Sequence, residues 1–169
     1  MAFIEKDISK LQCNPFDLIS KDWFLLTSGN LENYNTMTCS WGAMGVIWNQ
    51  PSLTAYVRSS RYTYDYLEKN NLFTVSVFSE QYRKALAFCG SHSGRDCDKA
   101  KETGLTPVEL NGCVSFAQAK VVFVCEKTYA QDMQAENFVE KENISKFYAS
   151  DAMHKLYIGK ILAIYENND

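Results

Sequence analysis

The chain has 169 residues, of which 46% are hydrophobic and 14% aromatic, and its formal net charge is −3. This length suits one domain over residues 1–169 and leaves no room for a nucleotide-binding domain joined to a separate substrate domain. The acidic balance and the absence of a basic stripe argue against a nucleic-acid or anionic-membrane surface. No apolar run approaches the roughly 20 residues of a membrane span, and residues 1–10 lack the apolar core of a secretory signal. We therefore expect a cytoplasmic protein with no membrane or nucleic-acid partner.

The chain contains six cysteines and two histidines. Six cysteines can form three disulfides, but a hydrophobic chain of this length does not need such crosslinks. No Cys-x-x-Cys pair occurs, and His92 and His154 lie far apart in the sequence, so we expect no metal site. The thiols are expected to be reduced and mostly structural.

Short runs rich in β-branched and aromatic residues, separated by Gly, Asn and Pro, predict strands along most of the chain. The clearest is Leu72–Phe78, in which apolar and polar residues alternate. The candidate strand segments, in chain order, are 22–27, 35–42, 44–48, 53–57, 72–78, 114–119, 120–126 and 156–165. Segment 44–48 resumes the strand before it and 114–119 leads directly into 120–126, so the segments amount to six or seven strands. Turns are expected at 28–30 and 49–51.

Helical spacing of apolar residues predicts three short helices, at 62–70, 80–89 and 96–102. Gly90 and Gly104 supply stop signals after the second and third helix, and residues 144–148 suit a helical turn or two. Six or seven strands without regular helical crossovers favour an antiparallel barrel or sandwich over a doubly wound sheet. The predicted fold is mainly β, an antiparallel barrel with short helical insertions.

Two segments suggest a ligand site. The alternating polar residues of Asn35–Ser40 can line a flat heteroaromatic ligand, although a solvated strand face gives the same pattern. The second segment, Arg58–Thr63, combines two guanidinium groups, hydroxyls and the start of a helix, which suits a phosphate. A solvated turn whose Ser60 or Thr63 caps the helix is the structural alternative.

Two further features are weaker. The segment His92–Lys99 suits a second anion clamp or a loop donated to a neighbouring subunit, but also an ordinary helix-entry loop. His154 precedes the last strand, where a neutral imidazole can donate a hydrogen bond or proton to a ligand or simply be a structural histidine. No nucleophile elbow, phosphate-cradling Gly-x-x-x-x-Gly-Lys loop or Gly-x-Gly-x-x-Gly fingerprint is present.

Taken together, these segments resemble the flavin reductase-like family of FMN-binding split β-barrels, which includes flavoredoxin. The resemblance extends from about Trp23 to Tyr165, and the motifs stand in the family's order. The matching pieces are Asn35–Gly42, Pro51, Val57–Thr63, Phe73–Val77, Ser91–Lys99 with Gly104–Thr106, and His154–Ile161. Two departures are Lys160, where an acidic residue is common in relatives, and the segment Gln131–Tyr148, which matches no motif.

The resemblance implies FMN as cofactor and NAD(P)H as co-substrate, with hydride passing through FMN to free flavin or another small acceptor. His154 would face the flavin or the nicotinamide as the catalytic residue. It also implies a homodimer with FMN near the interface. The implied cofactor-binding residues are Asn35, Thr36, Met37, Thr38, Cys39, Ser40 and Trp41 beside the ring, Arg58, Ser60, Arg61 and Thr63 at the phosphate, and Ser93, Arg95 and Lys99 in the loop.

Three alternatives stay open. One is a flavoredoxin-like electron-transfer protein in which Cys39 takes part, although a buried apolar thiol is the simpler interpretation of that residue. Another is an enzyme similar to pyridoxamine-phosphate oxidases on the same type of barrel. The third is a non-catalytic module that binds flavin or another phosphorylated ligand.

Overall fold

The computed structural model describes residues 3–167 and confirms a mainly β fold with antiparallel strand pairing throughout. Within these residues it contains ten strands and four α-helices. The strands are β1 (Phe3–Lys6), β2 (Phe24–Asn30), β3 (Asn33–Cys39), β4 (Gly42–Ile47), β5 (Gln50–Arg58), β6 (Leu72–Val77), β7 (Pro107–Leu110), β8 (Cys113–Phe116), β9 (Val121–Asp132) and β10 (His154–Asn167). The helices are α1 (Tyr62–Lys69), α2 (Arg83–Ser91), α3 (Lys99–Thr103) and α4 (Glu142–Tyr148).

The main sheet has the order β3-β2-β6-β9-β10-β5-β4, with β1 added on β10. One apolar cluster joins residues from both halves of this order, among them Phe24 in β2, Leu53 in β5 and Phe123 in β9. Strands that are far apart in the sheet can share one core only if the sheet bends round on itself. The sheet is therefore an antiparallel split barrel. The small hairpin of β7 and β8 lies outside this sheet.

The outer face of the barrel carries a second apolar cluster. Leu25 of β2 belongs to it, together with Leu86 of α2, Ala100 of α3 and Phe116 of β8. Because adjacent residues of β2 point to opposite sides, both of its faces are buried, and Phe24, Leu25 and Leu26 are fully inaccessible to solvent. The helices therefore cover the barrel wall next to β2 and β3.

The barrel is open at one corner. The edge strands β3 and β4 stand at opposite ends of the strand order, yet only Ser40 and Trp41 separate them in the chain. The two sheet edges therefore meet at this corner without pairing along their length. The corner leaves strand ends and backbone groups accessible to a ligand.

Two predicted turns are displaced. Residues 28–30 continue β2, and the turn falls on Leu31 and Glu32, whose backbone is fixed because the Asn30 side chain accepts from the Glu32 amide at 3.1 Å. The second hairpin turns at Trp48 and Asn49, which both have positive φ (51° and 56°) as a two-residue hairpin loop requires. Pro51 consequently lies inside β5 and not in the turn.

Most other predicted elements are confirmed, with shifted ends. The helix predicted at 80–89 begins as a 3-10 turn at Glu80–Tyr82 and continues as α2 through Ser91, so Gly90 does not stop it. Strands β1 and β7 were not predicted, and β9 runs six residues beyond the expected end at residue 126. No helix within residues 3–167 is long and apolar enough to cross a membrane.

Candidate functional site

One continuous cleft runs past the open corner of the barrel. It consists of three adjoining cavities that share lining residues: Met37, Thr38 and Arg61 join the first to the second, and Ser40 and Trp41 are among those joining the second to the third. Their volumes are about 160, 240 and 610 Å³. The small first cavity is polar, and the large third cavity is apolar.

The polar end of the cleft lies at the N-terminus of α1. Arg61 is the N-cap residue of this helix and makes no side-chain capping hydrogen bond. The first amides of a helix have no intrahelical acceptor, so an uncapped N-terminus attracts an anion. Ser60 and Thr63 line the same cavity. Asn35 donates to the Thr63 hydroxyl at 2.7 Å, which leaves that hydroxyl free to donate in turn.

The Arg61 side chain is exposed and is available for a ligand. Within residues 3–167 its guanidinium makes no hydrogen bond or ion pair with another residue. The guanidinium reaches both the polar cavity and the middle cavity. Arg61 is therefore the cation best placed to bind an anion at the N-terminus of α1.

The loop after α2 closes the polar end. Ser93 and Gly94 line this cavity, and a side chain at position 94 would collide with the Asn35 amide. Glycine is thus needed where the loop touches β3. Arg95 lies outside the cavity lining: it donates to Asp65 at 2.8 Å and stacks over the Tyr62 ring at 4.5 Å. Arg95 therefore braces the loop against α1.

Lys99 is buried beneath the same cavity. Its ammonium group donates to the carbonyl oxygens of Thr36 at 2.8 Å and Cys89 at 2.7 Å. Burial lowers the pKa of Lys99 from its ordinary value. With two of its three donors used, Lys99 joins β3 to α2 and brings a positive charge under the floor of the cavity.

Arg58 lines the middle cavity together with Arg61, but its guanidinium is engaged by the protein. Its guanidinium donates to the carbonyls of Phe147 and Ala152, both at 2.7 Å, and lies 3.6 Å from the Asp151 carboxylate. It also lies 4.9 Å from the ring centroid of Tyr148. Arg58 thus fixes the end of α4 and the loop that follows. Its predicted contact with a phosphate stays a prediction from the resemblance.

The middle cavity is lined by the end of β3, the two corner residues and His154. The Thr38 hydroxyl donates to the Leu86 carbonyl, and the Thr36 hydroxyl bonds that of Thr27 at 2.8 Å on the same outer, helix-covered face of the sheet. The Thr36 side chain is therefore engaged away from the middle cavity and does not line it. Cys39 is fully buried, and burial raises the pKa of its thiol to about 12.

His154 stands between the middle and apolar cavities. Its Nδ1 is 2.9 Å from the Tyr148 hydroxyl, and its ring centroid is 5.1 Å from that of Trp41. Burial, with repulsion from Arg58 and Arg61, lowers the pKa of His154 to about 4. The imidazole is therefore neutral at pH 7 and offers one donor and one acceptor.

The apolar cavity is the part of the cleft that the sequence did not reveal. Its walls come from the corner, from the π-helical segment Asp17–Asp22 and from the segment Gln131–Tyr148 that matches no motif. Among residues 3–167, no charged side chain lines it. Its lining residues include Phe16, Ile19, Met44, Tyr56, Met133, Phe138, Phe147 and Tyr148. The aromatic and methionine side chains at 133, 138, 147 and 148 were the only sequence signal.

The cleft therefore has an anion-binding end, a hydrogen-bonding middle and an apolar end. Such an arrangement suits a ligand with a phosphate, a polar linker and a flat ring, beside room for a second, apolar molecule. Of the predicted site residues, all except Thr36 and Arg95 line the polar or middle cavity.

Comparison with known proteins identifies the class. Residues 17–169 match the family described as "Flavin reductase like domain", and the chain belongs to this family. A search of curated proteins found no match.

Solved structures share the fold. An FMN-binding protein from Thermus thermophilus with bound 1-cyclohex-2-enone is 19% identical with a TM-score of 0.67, over 85% of this chain and 69% of the other. Flavoredoxin from Methanosarcina acetivorans is 20% identical with a TM-score of 0.67, over 87% and 69%. The styrene monooxygenase flavin reductase from Pseudomonas putida S12 is 16% identical with a TM-score of 0.64, over 87% and 80%.

Proposed function

We propose that this protein binds FMN in the cleft and catalyses a flavin reductase-type reaction, in which NAD(P)H is oxidised and a small acceptor is reduced. The observation that carries the proposal is the continuity of the cleft. An unpaired arginine at an uncapped helix N-terminus opens directly into a groove bordered by Met37–Trp41 and His154. Membership of the flavin reductase-like family supports the same assignment.

The donor set at the polar end fits a phosphate dianion. Arg61 contributes an uncommitted guanidinium, Ser60 and Thr63 contribute hydroxyls, and the first turn of α1 contributes amides. Charge-assisted hydrogen bonds of this kind are the strong ones, and a helix N-terminus adds a favourable dipole. The buried ammonium of Lys99 adds positive potential from below.

The middle of the cleft fits a flat ring with polar edges. The end of β3 offers backbone amides and carbonyls, and the corner between β3 and β4 leaves them unpaired by a neighbouring strand. Trp41 is 43% exposed and presents an aromatic face to the cleft. Bound FMN would supply the two-electron redox chemistry, as flavins do. The chain binds, orients and shields it.

His154 suits a role beside the ring. Because its pKa is lowered to about 4, it stays neutral, and with its one hydrogen on Nδ1 facing Tyr148 its Nε2 can accept a hydrogen bond without adding charge. Its contact with Tyr148 at 2.9 Å and its packing on Trp41 fix the imidazole plane. We infer that His154 positions the ring or the nicotinamide by this hydrogen bond.

We also propose that two copies of the chain form the functional unit. Phe16 is 80% exposed and Trp41 43% exposed, and both stand at the rim of the apolar cavity. Exposed aromatic side chains beside a ligand site are typical of an interface. Size-exclusion chromatography with light scattering, with and without FMN, measures the oligomeric state.

The test is a titration followed by turnover. Adding the protein to FMN quenches or shifts flavin fluorescence if FMN binds, and riboflavin serves as the ligand without the phosphate. Anaerobic mixing with NADH or NADPH then bleaches the flavin absorbance near its visible maximum if hydride is transferred. Absence of FMN binding contradicts the proposal. Binding of FMN without bleaching means that the protein carries flavin and does not catalyse its reduction.

An electron-transfer role through Cys39 is disfavoured by its surroundings. The thiol is fully buried, and its pKa of about 12 keeps it protonated and unreactive at neutral pH. A role as a passive flavin carrier is the second candidate, and the NAD(P)H step above distinguishes it.

A further inference from the structure

The apolar cavity at the end of the cleft has a composition of its own. Its 610 Å³ is within the range of small-molecule sites, and no charged side chain of the described part of the chain lines it. The groove that extends it past Met133 and Phe138 has two charged lining residues within the structure as described, Asp132 and Glu140. An anionic molecule would meet apolar walls and acidic groups here, whereas an uncharged ring would be buried favourably.

One polar pair interrupts the apolar wall. The Tyr148 hydroxyl is 2.9 Å from Nδ1 of His154 and 3.8 Å from the sulfur of Met133. A thioether is a weak acceptor, so the contact with Met133 is a weak hydrogen bond for the Tyr148 hydroxyl. When the imidazole carries its hydrogen on Nδ1, it donates to the tyrosine oxygen. The tyrosine hydrogen then points towards Met133, a residue of the cavity wall.

Two neighbouring side chains fix the orientation of the Tyr148 ring. The Arg58 guanidinium stacks on it at 4.9 Å, and the Phe138 ring meets it edge-on at 5.8 Å. Burial raises the pKa of Tyr148, so the hydroxyl keeps its proton at neutral pH and remains a donor. A neutral His154 has one N–H, which is the hydrogen that it donates to the Tyr148 oxygen here.

We propose that the apolar cavity binds an uncharged, planar carbonyl compound of the quinone class, and that the Tyr148 hydroxyl donates a hydrogen bond to its carbonyl oxygen in place of Met133. This inference rests on the proposed function in one respect: the quinone is the electron acceptor of the proposed NAD(P)H oxidation. In the net reaction the quinone takes the hydride of NAD(P)H and one proton from solvent. The nicotinamide is oxidised, and the quinone becomes a hydroquinone.

Tyr148 is thereby assigned as a residue that touches the substrate. A hydrogen bond to the carbonyl oxygen withdraws electron density from the ring and favours its reduction. The same bond selects carbonyl compounds over hydrocarbons of equal shape, because a buried donor without an acceptor costs free energy. Free flavins and flavin nucleotides would bind here less well than an uncharged bicyclic quinone, since their polar ring edges would face apolar walls.

The binding test needs neither FMN nor turnover. The probe is 2,3-dimethyl-1,4-naphthoquinone, whose substituted ring carbons do not add thiols, and 2,3-dimethylnaphthalene is the matched hydrocarbon. Titration by calorimetry, with quenching of tryptophan fluorescence as a second readout because Trp41 lines the cavity, is expected to give about tenfold tighter binding of the quinone, the value of one net hydrogen bond.

The Tyr148→Phe variant removes only the hydroxyl and keeps the ring stacked on Arg58. We expect it to lose most of the tenfold preference while its affinity for the hydrocarbon stays within about twofold. Tyr129→Phe, which deletes a hydroxyl bonded to Gln131 at an exposed position, is the matched control and should keep the preference. The infrared carbonyl stretch of the bound quinone should lie at lower frequency in the parent protein than in Tyr148→Phe.

The outcomes are separable. Equal affinities for quinone and hydrocarbon, or an unchanged preference in Tyr148→Phe, overturn the assignment of Tyr148. No binding of either probe overturns the cavity as a ligand site and indicates that a second copy or another segment covers it. Failure to bind FMN or to oxidise NAD(P)H contradicts the proposed function alone, because the titration of the cavity does not depend on either step.

Discussion

The two arginines of the segment 58–63 provide the sharpest test of how the cleft binds FMN. Arg61 is uncommitted within the described residues and stands at the N-terminus of α1, whereas Arg58 is bonded to two carbonyls at 2.7 Å. Replacing each by alanine should therefore produce different results. We expect Arg61→Ala to lose a phosphate contact and Arg58→Ala to loosen the loop after α4.

The magnitude follows from the exposure of Arg61. A hydrogen bond to a charged partner contributes about 1.5–3 kcal/mol, and an exposed guanidinium falls at the lower end of that range. About 1.5 kcal/mol corresponds to roughly a tenfold change in Kd. Riboflavin lacks the phosphate, so its Kd in Arg61→Ala should change by less than about twofold. The FMN effect should also weaken as salt is added, because exposed charges are screened.

The assay is a fluorescence titration of FMN and of riboflavin with each variant at two salt concentrations, alongside thermal unfolding. Arg58→Ala is expected to lower the unfolding temperature and to weaken FMN and riboflavin by similar factors, since it loses contacts to Phe147 and Ala152. Arg83→Ala, whose guanidinium stacks over the Trp23 ring at 4.2 Å away from the cleft, is the control of equal charge change.

The result that would refute the reasoning is an equal loss of FMN and riboflavin affinity in Arg61→Ala. If Arg58→Ala instead loses affinity for FMN but not for riboflavin, Arg58 binds the phosphate, as the family resemblance implies. Either outcome would show that Arg61 does not hold the anion.

Three further predictions concern stability and thiol chemistry. Because the folded-state pKa of His154 is lowered to about 4 from an ordinary 6.5, the folded protein binds fewer protons than the unfolded chain between these values. Its contribution to stability is therefore fully present above pH 6.5 and lost as pH falls towards 4, and urea unfolding of His154→Gln should show a flatter pH slope. Lys99→Met leaves two buried carbonyls without a donor and should cost about 2–4 kcal/mol, while exposed Lys101→Met should cost less than about 0.5 kcal/mol. In native protein, iodoacetamide should label exposed Cys13 and leave buried Cys39 unmodified, as mass spectrometry of peptides would detect.

Each of these predictions has a contrary result. Parallel pH curves for His154→Gln and the parent would mean that the imidazole titrates normally in the folded state. A neutral Lys99→Met would mean that water replaces the ammonium group. Labelling of Cys39 at the rate of Cys13 would reopen a redox role for the buried thiol.

The sequence predicted the elements whose pattern is local. Leu72–Phe78 alternates because one face of β6 meets the barrel interior, and the helix at 62–70 shows both its start and its stop in the sequence. The turn predicted at 49–51 falls instead on Trp48 and Asn49, because a tryptophan with positive φ has no sequence signature. The extension of β9 to Asp132 was missed because those residues are exposed and polar, and only pairing with β10 keeps them extended.

The sequence predicted those parts of the candidate site whose polar and charged residues are neighbours in the chain. Segments 35–41 and 58–63 do line one cleft, although the sequence gives no sign that the Thr36 hydroxyl is bonded to Thr27 away from the cleft or that Arg95 braces α1. The apolar cavity depends on the packing of distant segments, so no local pattern could predict it.

The difference between Arg58 and Arg61 has a simple origin in the sheet. Arg58 is the last residue of β5 and pairs with His154, the first residue of β10, so it emerges beside the loop that precedes β10. The carbonyls of that loop take up its guanidinium. Arg61, three residues later, has left the sheet and begins α1, and within the described residues no carbonyl takes up its guanidinium. One short segment therefore reaches both ends of the cleft: Arg58 shapes the apolar cavity through Tyr148, and Arg61 stands where we propose that the phosphate binds.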